Sequence, residues 1–264
     1  TRTLPTPRPT PRRRVAMAEA AGAVDRRDVA LGRLTSGEVA AQPILLVPLG
    51  STEQHGPHLP LDTNTRIAAA VAHAVAADPA PPLVRGQVLV APALPFGSSG
   101  EHGGFAGTLS IGAETTEAML VELVRSATEP GGGPFVAVLI LNGHGGNAAA
   151  VVAAVSRLVA EGRRVAAWAP SLPRADAHAG FTETSLALHL FGDLVRAERM
   201  EAGATSPVTE LMPQLRAGGV AAVSPNGVLG DPSGANASEG AALFAHMVLD
   251  AHGALAELLE DRHL

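Results

Sequence analysis

The chain of 264 residues has no cysteine, no tyrosine and no lysine, and all 19 of its basic residues are arginine. Each absence removes a chemistry. Without Cys there is no thiol nucleophile, no disulfide and no cysteinyl zinc site. Without Lys there is no Schiff base, no pyridoxal phosphate linkage and no P-loop lysine. Chemistry is left to His, Asp, Glu, Ser, Thr, Arg or a metal. A formal net charge of −6 argues against nucleic acid as a partner. No uninterrupted apolar run is long enough to span a bilayer, so a membrane is not an expected partner. The absence of Cys does not fix the compartment by itself; the expected one is the cytoplasm.

Hydrophobic residues make up 46% of the chain and mean hydropathy is +0.20, enough for one large domain with a real core. Residues 1–16 differ from the rest. Arg2, Arg8, Arg12, Arg13 and Arg14 alternate with Pro5, Pro7, Pro9 and Pro11, a composition that cannot pack and is expected to be a disordered tail. The following Val15-Ala16-Met17-Ala18-Glu19 is too short and too polar for the apolar core of a signal peptide. Residues 17–264 are expected to form the single folded domain.

Apolar runs alternate with helical patterns. Strands are expected at Pro43–Leu49, Gln87–Leu94, Phe135–Leu141 and Arg164–Ala169. Helices are expected at Thr65–Ala77 (capped by Thr63 or Asn64), Glu114–Thr128, Asn147–Glu161, Thr184–Phe191 and Glu239–Leu259. The alternation predicts an α/β fold with a mainly parallel sheet flanked by helices. Ligands of such sheets sit beyond the carboxyl ends of the strands. After the first strand come Glu53, His55 and His58; after the second, Ser98, Ser99, Glu101 and His102; after the third, Asn142, His144 and Asn147; after the fourth, Asp176 and His178. Five of the ten histidines thus fall on one edge of one sheet.

The densest loop is Gly50-Ser51-Thr52-Glu53-Gln54-His55-Gly56-Pro57-His58-Leu59-Pro60-Leu61-Asp62-Thr63-Asn64. Carboxylates and imidazoles crowded this way suit a divalent metal. His144, flanked by Gly143, Gly145 and Gly146, reads as a further ligand. His58 can orient its loop, and Asn142 and Asn147 read as turn-formers or caps. Glu183 is either a first-turn carboxylate favoured by the helix dipole or part of the site. His178 is a candidate general acid. Ser98, Glu101 and His102 are expected to border the substrate pocket. Ser98-Ser99-Gly100 lacks the Gly-x-Ser-x-Gly spacing of a nucleophilic serine.

From about Leu31 to about Ala256 the sequence resembles the creatininase (creatinine amidohydrolase) family. The resemblance rests on the Gly50–Pro60 stretch, on Glu101-His102 with Phe105-Ala106-Gly107-Thr108-Leu109-Ser110, on Asn142-Gly143-His144-Gly145-Gly146-Asn147, and on His178-Ala179-Gly180 with Glu183-Thr184-Ser185. It implies an α/β amidohydrolase with two divalent metal ions, Fe(II) and Zn(II) or Mn(II), built as a homo-oligomer, a hexamer. Glu53 and His144 would bind one ion and His55 the other, with a bridging carboxylate at position 64. Here that position is Asn64. An amide offers one neutral oxygen and an NH2 that does not ligate. Three readings stay open: Asn64 ligates one ion only, Asp62 compensates, or the chain is catalytically impaired. Gly146 replaces a ligand that creatininase proper carries two residues after its histidine. That makes Glu183 the candidate to complete the second site, as ligand or as base, and counts against creatinine as substrate. Glu210-Leu211-Met212-Pro213 and Ser224-Pro225-Asn226-Gly227-Val228-Leu229-Gly230-Asp231-Pro232 resemble the family's mycofactocin-system branch. The implied activity is release of the C-terminal Val-Tyr portion of the modified mycofactocin precursor peptide. The alternative within the family is hydrolysis of a small cyclic amide or formamide.

Overall fold

The computed structural model describes residues 29–260 except 40, 80–82, 84–86, 130–132 and 173–174. The tail expected at 1–16 and the first part of the expected domain, 17–28, lie outside the described residues. Among the described residues, four strands form one parallel sheet: β1 (Ile44–Leu49), β2 (Val88–Val90), β3 (Ala137–Asn142) and β4 (Val165–Trp168), in the order β2-β1-β3-β4. Register pairs Ile44 with both Val88 and Ala137, Leu49 with Asn142, and Leu141 with Trp168. β1 and β3 are buried at every residue, as strands covered on both faces must be, and this is why their sequences are continuous apolar runs.

Alternation along each strand divides the core. Ile44, Leu46, Leu139 and Leu141 join one cluster; Leu45, Val47, Leu49, Val138 and Ile140 join another. Helices α1 (Thr63–Ala77), α4 (Phe181–Phe191) and α6 (Ala237–Glu260) supply the first layer, and α2 (Ala113–Ala127) and α3 (Ala148–Ala160) the second. The first layer is built on stripes: Ile67, Ala68, Val71, Ala72, Val75 and Ala76 on α1, and Met247, Ala251, Leu255 and Leu258 on α6. α6 is long and apolar enough to cross a bilayer, but this buried stripe belongs to the core. Because α1, which follows β1, and α3, which follows β3, lie on opposite faces, the connections leaving these neighbouring parallel strands diverge, and a crevice opens beyond their carboxyl ends.

Four expectations differ from the structure. Thr63 and Asn64 do not cap α1; both are helical, Asp62 holds the N-cap position without a side-chain cap bond, and the Asn64 amide is committed elsewhere. β2 stops at Val90, because Pro92 and Pro95 deny the ladder its donors, and Leu94 only touches Leu49 in an isolated bridge. α4 starts a turn before Thr184, because the Asp176 carboxylate accepts from the Phe181 and Thr182 amides. A further helix, α5 (Val208–Gly218), contains Pro213, which hid it from sequence pattern.

Candidate metal centre

Loops from all four strands meet in the crevice, and hydrogen bonds fix their approach. The β1 loop closes through Glu53 N–H to the Leu61 carbonyl at 3.0 Å. In the β3 loop the Asn142 side chain clamps His144, donating to its carbonyl at 2.9 Å and accepting from its amide at 3.2 Å. Asn147, expected as a turn-former or cap, holds the N-cap position of α3 without a side-chain cap bond, and its side chain ties three loops together. Its NH2 donates to the Gly50 carbonyl at 3.0 Å and to Asn142 Oδ1 at 3.1 Å, and its Oδ1 accepts from Ser98 N–H at 2.7 Å. The fourth loop is held by backbone pairing of His178 with Leu229, a role of the 224–232 segment that sequence reading missed.

Hydrogen bonds also settle which nitrogens of three histidines face the crevice. A backbone carbonyl only accepts, so a ring nitrogen against one carries the proton. His55 Nδ1 lies 3.1 Å from the Glu53 carbonyl, His144 Nε2 lies 3.0 Å from the Ser98 carbonyl, and His178 Nε2 lies 2.8 Å from the Gln54 carbonyl. In the neutral rings the opposite nitrogens are therefore lone pairs. His55 Nε2 faces Glu183 Oε1 at 3.9 Å, His144 Nδ1 faces Glu53 Oε1 at 3.0 Å, and His178 Nδ1 faces Glu53 Oε1 at 3.9 Å and Glu183 Oε2 at 3.8 Å. Both Glu53 oxygens and His55 Nε2 are buried without a hydrogen-bond partner. Buried acceptors left unsatisfied and aimed at one another are costly. A cation resolves all of them together. The residues present therefore fit a divalent metal centre, and each of the three imidazoles has its far N–H held by the backbone, as metal-binding histidines do.

The electrostatics agree. Burial pushes the Glu53 carboxyl up, but His144, with His102 and His55 nearby, outweighs it and holds the group below its usual range. Burial pulls His144 down, but Glu101 and Glu53 raise it to about 10, so a proton takes the place between His144 and Glu53 when no metal is there. Burial, then the neighbouring His178, lower His55 and His102 to about 4 each. Burial would raise Glu183, yet His55 and His178 hold it low.

The structure brings together Glu53, His55, Asn64, His144, His178 and Glu183. Asn64 is buried between Ser51, whose hydroxyl donates to its Oδ1 at 2.8 Å, and Glu183, whose Oε1 accepts from its NH2 at 2.9 Å. Asp62 lies outside the cluster, paired with Arg66 at 2.7 Å on the surface, so the expectation that it compensates for Asn64 is overturned. His58 turns away to Thr184 Oγ1 at 2.8 Å. Beside the centre is a cavity of about 1060 Å³. Glu101 and His102 line it, as do Met212 and Leu215 of α5, whereas Ser98 does not and offers His144 its carbonyl instead. Gly146 leaves space for the Glu101 carboxylate, which a Cβ there would overlap.

A family model described as creatinine amidohydrolase matches residues 33–255. The mycofactocin precursor peptide peptidase of Mycolicibacterium smegmatis is 53% identical over 220 residues, covering 83% of this chain and 87% of the relative. The protein of that name from Mycobacterium tuberculosis (strain H37Rv) is 51% identical over 226 residues, covering 83% and 88%. Among solved structures, a creatininase with a tryptophan replaced by alanine superposes with a TM-score of 0.70 at 25% identity, over 87% of this chain and 98% of that one. A creatininase described with Mn gives 0.66 at 24% identity, with the same coverage.

Proposed function

The chain belongs to the creatinine amidohydrolase family, and on that premise we propose that it is a metal-dependent peptidase acting on the modified mycofactocin precursor peptide and releasing its C-terminal Val-Tyr portion. The observation that carries the metal-dependent reading is that the unpartnered Glu53 oxygens and His55 Nε2 share one crevice with His144 Nδ1, which faces Glu53 at 3.0 Å. The peptide reading is supported by relatives named for a precursor peptide. It is also supported by a cavity of about 1060 Å³, roomy for a small cyclic amide or formamide and at the large end for a ligand site.

In this reading Glu53 and His144 would hold one divalent ion, and His55 with Glu183 would hold the other. Asn64, bonded to Ser51 and Glu183, would add no charge to the site. Such ions, Fe(II) and Zn(II) or Mn(II), supply Lewis acidity toward the scissile carbonyl and the attacking water. The chain's own groups do the rest. His178 Nδ1, its ring oriented by the Gln54 carbonyl at 2.8 Å, takes the proton that the attacking water gives up and passes it to the leaving amine. Glu183, anchored by Ala179 N–H at 2.6 Å, keeps its carboxylate turned to the crevice. Glu101 borders the bound peptide. Assembly as a homo-oligomer, a hexamer, is what the family resemblance implies. We place the enzyme in the cytoplasm, where precursor peptides are made.

Mass spectrometry of a synthetic modified precursor incubated with metal-loaded protein tests the reading. We expect dipeptide release, lost by about 10³-fold or more in His144→Ala. Full turnover by that variant, or an intact precursor with the wild type, would overturn it.

A further inference from the structure

His102 lies with Glu53 and His178 in a group of donors close enough to share one ion, which by distance alone would make it a ligand. Its hydrogen bonds say otherwise. The Gln54 side chain is fixed by two backbone groups of known polarity. Its Oε1 accepts from Gly56 N–H at 2.9 Å, and its NH2 donates to the Gly227 carbonyl at 3.0 Å. The amide cannot be turned over without breaking both. The same NH2 stands 2.8 Å from His102 Nδ1 and 3.2 Å from His178 Nε2; His178 Nε2 gives its own proton to the Gln54 carbonyl at 2.8 Å, so the second amide hydrogen goes to His102 Nδ1, which accepts. The proton of the neutral ring is then on Nε2. That nitrogen stands 3.6 Å from Glu53 Oε1, just beyond hydrogen-bonding range. To ligate through Nε2, His102 would have to become an imidazolate or tear free of Gln54. Gly227, at φ +82, is shaped to this arrangement, since a Cβ there would overlap the Gln54 amide.

We propose that Gln54 locks His102 as its Nε2–H tautomer, and that His102 is a positioning residue that steers the Glu53 carboxylate by presenting this N–H to Oε1 across 3.6 Å, not a metal ligand. The inference rests on the metal reading above and adds a role that geometry by itself assigns differently. In this arrangement three histidines present lone pairs to the centre and the fourth presents an N–H. His102 Nε2, at 3.6 Å, and His144 Nδ1, at 3.0 Å, approach the same Glu53 oxygen, Oε1, one with an N–H and the other with a lone pair in its neutral form.

The test is metal content by elemental analysis and metal affinity by chelator competition with Zn(II), on the full chain. His102→Ala should keep the wild-type number of ions per chain while binding them about tenfold to a hundredfold more weakly. His102→Gln, which keeps an N–H donor, should recover part of that loss. Gln54→Glu removes the donor to Nδ1, so it should weaken binding similarly, and adding His102→Ala to it should cost little more. Loss of a whole equivalent in His102→Ala or His102→Gln, matching His144→Ala, would overturn the proposal, as would simple additivity of the Gln54 and His102 effects. A wild type that holds no transition metal would sink the centre itself; a metal-holding wild type with an equivalent missing in His102→Gln would sink this inference alone.

Discussion

Replacing Asn64 with Asp exchanges one neutral amide for an anion at the middle of the site. In the metal-free protein the exchange breaks the 2.9 Å bond from the Asn64 NH2 to Glu183 Oε1, a charge-assisted bond worth about 1.5–3 kcal/mol. It also sets two carboxylates against each other. At that separation and an effective dielectric of 20, the repulsion has an upper bound of about 6 kcal/mol. Uptake of one proton by the pair relieves much of this at neutral pH, leaving a net destabilisation of about 2–4 kcal/mol. For a domain of this size that lowers the melting temperature of the metal-free protein by roughly 5–15 °C. With divalent ions present the sign reverses, because the added anion neutralises cation charge and no longer meets Glu183 bare. Asn64→Asp should therefore melt lower than wild type in chelator and gain more on addition of Zn(II) or Mn(II). Its metal content should rise, and its peptide turnover with it. Differential scanning fluorimetry in both conditions reads this directly. Equal melting temperatures in chelator, together with equal metal-induced gains, would refute the placement of Asn64 at the metal site.

Asn147→Ala removes three loop-tying bonds and leaves the Ser98 amide and Gly50 carbonyl without their partner, so urea denaturation should show a loss of about 2–4 kcal/mol. The metal-free protein should also lose stability in acid. Folded His55 and His102 titrate near 4 against about 6.5 in an unfolded chain; their contribution is complete above that value and disappears as pH falls toward 4. His144 acts oppositely, titrating near 10 when folded, so its contribution is complete below about 6.5 and lost as pH rises through 10. The melting temperature in chelator should thus peak near neutrality, and a peak displaced to pH 4 would contradict these assignments.

Much of the architecture was legible because parallel strands buried on both faces cannot hide: Ile44–Leu49 and Ala137–Asn142 are apolar nearly throughout. The strand-end rule then gathered Glu53, His55, His144 and His178 without coordinates. Other parts had no signal of their own. Pro213 disguised α5, which lines one side of the cavity. Ser98 matters through its carbonyl, and any residue type supplies a carbonyl. Gln54 and Asn147 are amides whose importance comes from what lies across the fold, the Gly227 carbonyl and the Ser98 amide, neither close in sequence. Gly146 could be read as the loss of a ligand, but only the structure shows the Glu101 carboxylate beside it. Asp62 misled because it sits two residues from Asn64, yet on a helix start that separation sends its side chain to Arg66 at the surface.

The convergence of Glu53, His55 and His144 on shared cations is most directly examined by elemental analysis of protein purified without added metal, beside Glu53→Gln. The wild type should retain at least one equivalent of Fe, Zn or Mn per chain, and Glu53→Gln, which replaces a buried carboxylate with a neutral amide, should lose the ion shared with His144 and so carry fewer equivalents than the wild type while keeping its fold. A folded Glu53→Gln carrying the wild-type complement of metal would contradict the account.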